Sequence, residues 1–127
     1  MILSFREIFV PAIVAGTKPH SIRAGFRWRA GMSIQFYQGS YHQKRNKFRP
    51  DAVATSVQQV HFKREIRVAP AADPIVLVDD RRLTPEEREE LARRDGFTNY
   101  SELACFIDQL YGLPFTGQLI HWTDLRY

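Results

Sequence analysis

The sequence predicts an α+β domain with a curled or closed sheet, and three patterns carry that expectation. Short apolar runs rich in β-branched residues recur along the chain, one helical repeat comes early, and a pair of helical repeats comes late. The length of 127 residues suits a single domain, residues 1–127, able to bury a core without disulfide staples. Hydrophobic residues make up 44% and aromatics 13%, a composition that excludes a disordered tail.

Ile2, Leu3 and Phe5 read as a short buried first strand. Ile8, Phe9, Ala12, Ile13 and Val14 then recur at helical spacing. Pro11 fits that helix only in its first turn, where a missing N–H costs nothing, so the helix starts near Phe9 and Gly16 ends it. Residues 19–23 read as extended, with Ile22 inward and Ser21 and Arg23 sharing the other face. A loop over 24–31 leads to alternating residues 32–38, a barrel-type strand closed by Gly39. Val53, Val57, Val60, Phe62, Ile66 and Val68 make residues 52–68 one long bent strand or a hairpin, and residues 74–78 are a further short strand.

Thr84-Pro85-Glu86-Glu87 is a helix start: threonine as N-cap, proline at the first helical position, and glutamate completing a capping box. The helix is expected to run to about Arg94. Asp95-Gly96-Phe97 turns the chain into a second helix from near Asn99 to Gly112. Its stripe of Tyr100, Leu103, Phe106, Ile107 and Leu110 reads as core, and Cys105 as a small buried hydrophobe. Residues 116–127, with Leu119, Ile120, Trp122 and Leu125, read as the last strand.

The formal charge of +4 is unevenly spread. Through Pro50 nine Lys or Arg face one Glu, a balance of +8, whereas the remainder carries nine basic and thirteen acidic residues, a balance of −4. A basic front half points to an anionic partner, nucleic acid or a nucleotide, against the plainer reading of a soluble basic surface. Arg27, Trp28 and Arg29 interleave in a way that can stack on a base and neutralise phosphate, although Trp28 equally suits a cap on the core. The segment 40–50, with Lys44, Arg45 and Lys47, either tracks a phosphate backbone or forms a solvated hairpin tip. Cys105 is the single cysteine, which excludes a disulfide framework and suits a reducing, cytoplasmic setting. No signal peptide and no membrane span are evident.

The densest chemistry lies in Gly16-Thr17-Lys18-Pro19-His20-Ser21-Ile22-Arg23, where a helix hands over to a strand. This phrase resembles the signature of the ASCH-domain family, as do its preceding strand and helix and the basic linker and strand after it. Leu91-Ala92-Arg93-Arg94-Asp95-Gly96-Phe97 and Gly117-Gln118-Leu119-Ile120-His121-Trp122-Thr123 are also similar to small members of that superfamily. The resemblance implies a PUA-like fold, a β-barrel-like sheet with helices flanking a cleft, and a role with RNA or modified nucleosides. Some small members hydrolyse the amide of N4-acetylcytidine with a lysine, a threonine and a carboxylate, and Lys18, Ser21 and Asp95 fall at the matching positions. Here serine stands for threonine and aspartate for glutamate.

Two readings follow. The first is a binding module for RNA or a modified nucleoside, with a cationic cleft around Lys18 and Arg23 extended by Arg27, Trp28, Arg29, Lys44, Arg45 and Lys47. The second is an N4-acetylcytidine-type amidohydrolase, with Lys18 as base, Ser21 as nucleophile and Asp95 positioning Lys18 or a water; a ribonuclease is a lesser alternative. An ordinary ion pair between Lys18 and Asp95, holding helix to sheet, is the plain counter-reading. His20 falls on the strand face opposite Ser21, which makes it a minor candidate for general base. The four histidines are scattered singly, so no metal or other cofactor is expected, and the chain is expected to act as a monomer.

Overall fold

A computed structural model describes residues 1–39, 45–65 and 72–127, and shows an α+β arrangement of three layers. A small sheet holds β1 (Ile2–Phe5) parallel to β3 (Ser33–Gln38), which also pairs with β4 (Asn46–Lys47) and β5 (Ala52–Val53). A second sheet runs in the order β2 (His20–Ala24), β9 (Phe115–His121), β6 (Ser56–Lys63), β7 (Ile75–Val78), β8 (Arg81–Arg82), antiparallel throughout. Both sheets are open among the described residues. β2 is an edge strand of the larger one.

Alternation along β9 explains the layering. Phe115 and Leu119 point to one face, where they join Val60, Phe62, Val76 and Val78 beneath the helices α2 (Pro85–Arg94) and α3 (Tyr100–Tyr111). Ile120 points to the other face and packs with Leu3, Phe5, Ile34 and Phe36 of the small sheet. Every one of these side chains is under a tenth exposed, so each layer boundary is a continuous apolar seam.

Local signals set the element ends. Thr84 accepts from the Glu87 N–H while the Glu87 carboxylate accepts from the Thr84 N–H, the reciprocal box that starts α2. Gly16, at φ 83°, closes the short helix α1 (Val10–Ala15), in whose first turn Pro11 sits. The Thr17 and Lys18 N–H groups then fold back onto the Ala12 carbonyl, which aims Lys18 across the start of β2. At the end of α2 the Gly96 N–H reaches the Arg93 carbonyl and the Phe97 N–H the Ala92 carbonyl, a Schellman closure that leaves Asp95 as C-cap.

Some sequence expectations shift. The stretch 52–68 divides into β5 and β6, with residues 66–68 outside the described residues. The last strand ends at His121, short of Tyr127. Cys105 is exposed and not buried: it sits about 200° around α3 from the core residue Leu103, away from the sheet. Among the described residues no helix is long and apolar enough to cross a membrane.

Candidate active site

A cavity of about 120 Å³ opens along the free side of β2, between the small sheet, the Phe9 turn and α3. Lys18, Ser21, Arg23 and Asp95 all line it, against walls that include Phe9, Phe97 and Phe106. Lys18 and Asp95, 77 residues apart in sequence, meet directly. The Lys18 Nζ donates to Asp95 Oδ1 at 3.0 Å and to the Asp95 backbone carbonyl at 2.6 Å, and both residues are nearly inaccessible. The second contact satisfies a carbonyl that the end of α2 would otherwise leave open.

An acidic side chain at a helix C-terminus is locally unfavourable, because it adds negative charge to the negative end of the helix dipole. Asp95 therefore depends on its partners. His20 is one of them: Nδ1 lies 2.9 Å from Asp95 Oδ1, and Nε2 lies 2.8 Å from the Tyr127 hydroxyl. An ionised carboxylate only accepts, so His20 carries its proton on Nδ1, and Nε2 accepts from the Tyr127 O–H. The chain of contacts runs Tyr127, His20, Asp95, Lys18. His20 is thus a positioning residue for Asp95, a role that its place on the opposite strand face from Ser21 conceals in the sequence.

Burial lowers the affinity of Lys18 for its proton, and the nearby Arg23 charge adds to this, against the attraction of Asp95. Burial works the other way on Asp95, but the Lys18 charge and the His20 hydrogen bond outweigh it and hold its carboxyl below the usual range. Burial also keeps His20 below its ordinary value of 6.5, and pushes His121 down to about 4. His121 donates from Nε2 to the Gln58 side chain, while its buried Nδ1 has no hydrogen-bond partner among the described residues. Both imidazoles are therefore neutral in the folded chain at pH 7, and take up protons more readily once unfolded. Folding stability should fall as pH drops from about 6.5 toward 4, as the unfolded chain gains protons that the folded chain refuses. Thermal melts between pH 7.5 and 4.5 check this; a midpoint independent of pH over that range contradicts it.

Ser21 and Arg23 face the cavity from the side of β2 that looks toward the small sheet. The Arg23 Nε donates to Ser21 Oγ at 3.0 Å, one Arg23 terminal nitrogen donates to the Ser4 carbonyl at 2.9 Å, and the guanidinium lies 4.7 Å from the centre of the Phe5 ring. These contacts fix the fork and leave Nη1 without a protein hydrogen bond among the described residues. Arg6 also lines the cavity, so three cations face it against the single carboxylate of Asp95. Nothing in the sequence pattern singles out Arg6; its place follows from the turn after β1, which lays it over Phe106 at 5.1 Å. Phe106 and Leu110, read in the sequence as core, line the cavity from α3.

Among the described residues, the other basic side chains singled out in the sequence do not line the cavity. Trp28 is 5% exposed, packed in the seam between the sheets, and its backbone N–H and carbonyl are clasped by the Gln118 side chain at 2.9 and 2.8 Å. It takes the core alternative, which leaves no open ring face for a base. Arg27 and Arg29 are exposed on the same loop and do not line the cavity. Lys47 pairs with Asp51 at 2.5 Å. Arg45 is half-buried and likewise absent from the cavity wall, and Lys44 lies outside the described residues. Among the described residues no group of histidine, cysteine and carboxylate side chains could hold a metal ion.

Gly96 has a structural duty beside Asp95. Its φ is 99°, and a Cβ there would lie 2.9 Å from the Phe9 ring and 3.5 Å from Lys18 Cδ. Gly96→Ala should cost about 1–3 kcal/mol through backbone strain and shift the Phe9 wall. Urea unfolding measures the first effect; a midpoint unchanged from the native chain would contradict it. Compared with protein-family models, curated proteins and solved structures, the chain matches none.

Proposed function

We propose that the chain is a PUA-like amidohydrolase acting on a small N4-acylated cytosine nucleoside or base, N4-acetylcytidine being the model substrate. The observation that carries this reading is the convergence of Lys18, Ser21 and Asp95 on one cavity despite their separation in sequence. The shorter aspartate still makes a 3.0 Å contact with Lys18, so the missing methylene does not break the pair.

In this mechanism the Ser21 hydroxyl attacks the acyl carbonyl and passes its proton to the Lys18 amine, which burial predisposes to the neutral form. The Arg23 Nε, already on Ser21 Oγ, stabilises the developing alkoxide, and Nη1 is available to the carbonyl oxygen as charge builds on it. Lys18 returns the proton to the departing exocyclic nitrogen as the C–N bond breaks. Water, activated by the regenerated amine, then releases the acyl group from Ser21 as a carboxylic acid. Asp95, steadied by His20, holds the Lys18 nitrogen in place throughout.

Chromatography of N4-acetylcytidine incubated with the native protein and with Ser21→Ala tests the reading. Cytidine and acetate are expected from the native protein, and Ser21→Ala should be slower by at least a hundredfold. Absence of cytidine with the native protein, or equal rates for the two, rejects it.

A second reading, nucleoside or RNA binding without turnover, is favoured by the double contact that ties Lys18 Nζ to Asp95. It is distinguished by salt-sensitive binding of RNA or N4-acetylcytidine with no product formed.

A further inference from the structure

The phase of the hydrogen-bond ladder fixes which backbone groups of β2 point away from β9. In an antiparallel pair, residues that exchange both hydrogen bonds alternate with residues whose N–H and C=O point away from the partner. The Trp122 N–H donates to the Pro19 carbonyl at 3.2 Å, which makes Pro19 and Trp122 a bonded position. Ser21 with Ile120 and Arg23 with Gln118 are then the next bonded positions in the register. His20, Ile22 and Ala24 fall between them. The neighbouring strands agree: the His121 carbonyl accepts from Thr55 on the β6 side, and the Asp79 N–H donates to the Gln59 carbonyl, so β9 turns His121 and Leu119 toward β6 and leaves Ile120 and Gln118 for β2.

The backbone N–H and C=O of His20, Ile22 and Ala24 therefore point to the free edge of the sheet. Of these three, Ile22 lines the cavity. Its residue is 8% exposed, and its N–H and C=O have no other backbone partner among the described residues. A donor and an acceptor side by side at the edge of a cavity, with no protein partner among the described residues, are met by whatever enters it, water or a ligand that matches the pair.

We infer that the Ile22 backbone is the recognition edge of the cavity, its N–H donating to a ring nitrogen and its C=O accepting from the adjacent exocyclic N–H of a cytosine-type heterocycle. This deepens the proposed function and rests on it for the choice of base. At about 120 Å³ the cavity is smaller than the enclosed cavity of about 150 Å³ that accepts benzene, but it opens to solvent, so the edge of one planar ring can enter while the rest of the nucleoside lies outside. An added peptide strand of three residues would span about 10 Å, and Phe106, Ile107 and Tyr111 of α3 wall the cavity. Phe9, Phe97 and Phe106 supply apolar walls, and with N4 held at the Ile22 carbonyl its acyl group extends along the same wall that carries Ser21 and Arg23.

The test is an amide-resolved NMR titration of the native protein with cytidine, 3-deazacytidine and N4,N4-dimethylcytidine, repeated on a protein in which Ile22 is replaced by its α-hydroxy acid. That replacement keeps the side chain and removes the N–H. Cytidine is expected to shift the Ile22 amide strongly. The deaza analogue lacks the ring acceptor and the dimethyl analogue the exocyclic donor, and each should bind about tenfold more weakly or worse. The ester variant should melt within a few degrees of the native protein, because the lost N–H is not part of the β2–β9 ladder and the Ser21 carbonyl, a weaker acceptor as an ester, still bonds Ile120, though less strongly. It should lose a similar factor for cytidine. A silent Ile22 amide, equal binding of the analogues, a strongly destabilised ester variant, or a response to a β-forming peptide in place of cytidine would each overturn the inference. An Ile22 response without any hydrolysis of N4-acetylcytidine leaves recognition standing and removes the hydrolase reading; hydrolysis with a silent Ile22 does the reverse.

Discussion

Asp95→Asn is expected to destabilise the fold by about 3–5 kcal/mol at pH 7, because removing one partner of a buried ion pair strands the other charge. For a domain of this size that corresponds to a drop of roughly 12 °C or more in Tm. The substitution is nearly isosteric, and its amide oxygen can still accept from His20 and Lys18, so the loss reports charge more than packing. Its pH dependence is diagnostic. Without Asp95, Lys18 should give up its proton still more readily in the folded state, while the unfolded lysine titrates near 10.5. The unfolded chain then holds the extra proton, and raising the pH toward 10 should narrow the gap between variant and native Tm. A deficit that is constant with pH would mean that Asp95 acts through packing and not through the Lys18 charge.

Lys18→Met should lower turnover of N4-acetylcytidine by about 10²–10⁴, the usual contribution of a positioned general base. Methionine approximates the lysine stem and keeps contact with Phe9, which lies 5.1 Å from the Lys18 nitrogen. Asp95 then loses its cation, so the informative protein is the double variant Lys18→Met/Asp95→Asn. It should be more stable than Asp95→Asn alone, since a buried pair replaced on both sides costs less than one broken on one side. Calorimetric titration with cytidine should show affinity within a few-fold of native in the double variant. Turnover at the native rate in Lys18→Met would remove the lysine from the chemistry.

Much of the site was readable before the fold. Gly16 at a helix end and the alternation of residues 19–23 already place Ser21 and Arg23 on one face, and their side chains do touch. The capping box at Thr84 and the turn at Gly96 fix the length of α2, and with it the place of Asp95. What escaped depends on contacts between elements that no local period encodes. His20 looks idle by strand phase, yet the start of β2 passes beside the end of α2 and brings it to Asp95. Tyr127 carries no motif and reaches His20 only because the chain after β9 folds back over the sheet. Trp28 could serve a base or the core, and the decision rests with Gln118, 90 residues away. A helical stripe shows that Phe106 and Leu110 share a side, but it cannot show that this side overhangs a sheet edge and forms a cavity wall.

The basic front half follows the same logic. Net charge records how many cations there are, not which of them converge. Lys18, Arg23 and Arg6 face the cavity, whereas Lys47 is spent on Asp51. Among the described residues, the cations that converge are these three, grouped around one cavity.

With a buried Lys18 as the base for Ser21, the pH dependence of N4-acetylcytidine turnover by the native protein, with the buffer-only rate subtracted at each pH, follows the titration of that lysine. Turnover should rise with pH as Lys18 loses its proton and should level off well below the ordinary lysine value of 10.5. The rising limb should be missing from whatever activity Lys18→Met retains. A native profile flat from pH 6 to 10, or the same limb in Lys18→Met, would mean that Lys18 is not the base.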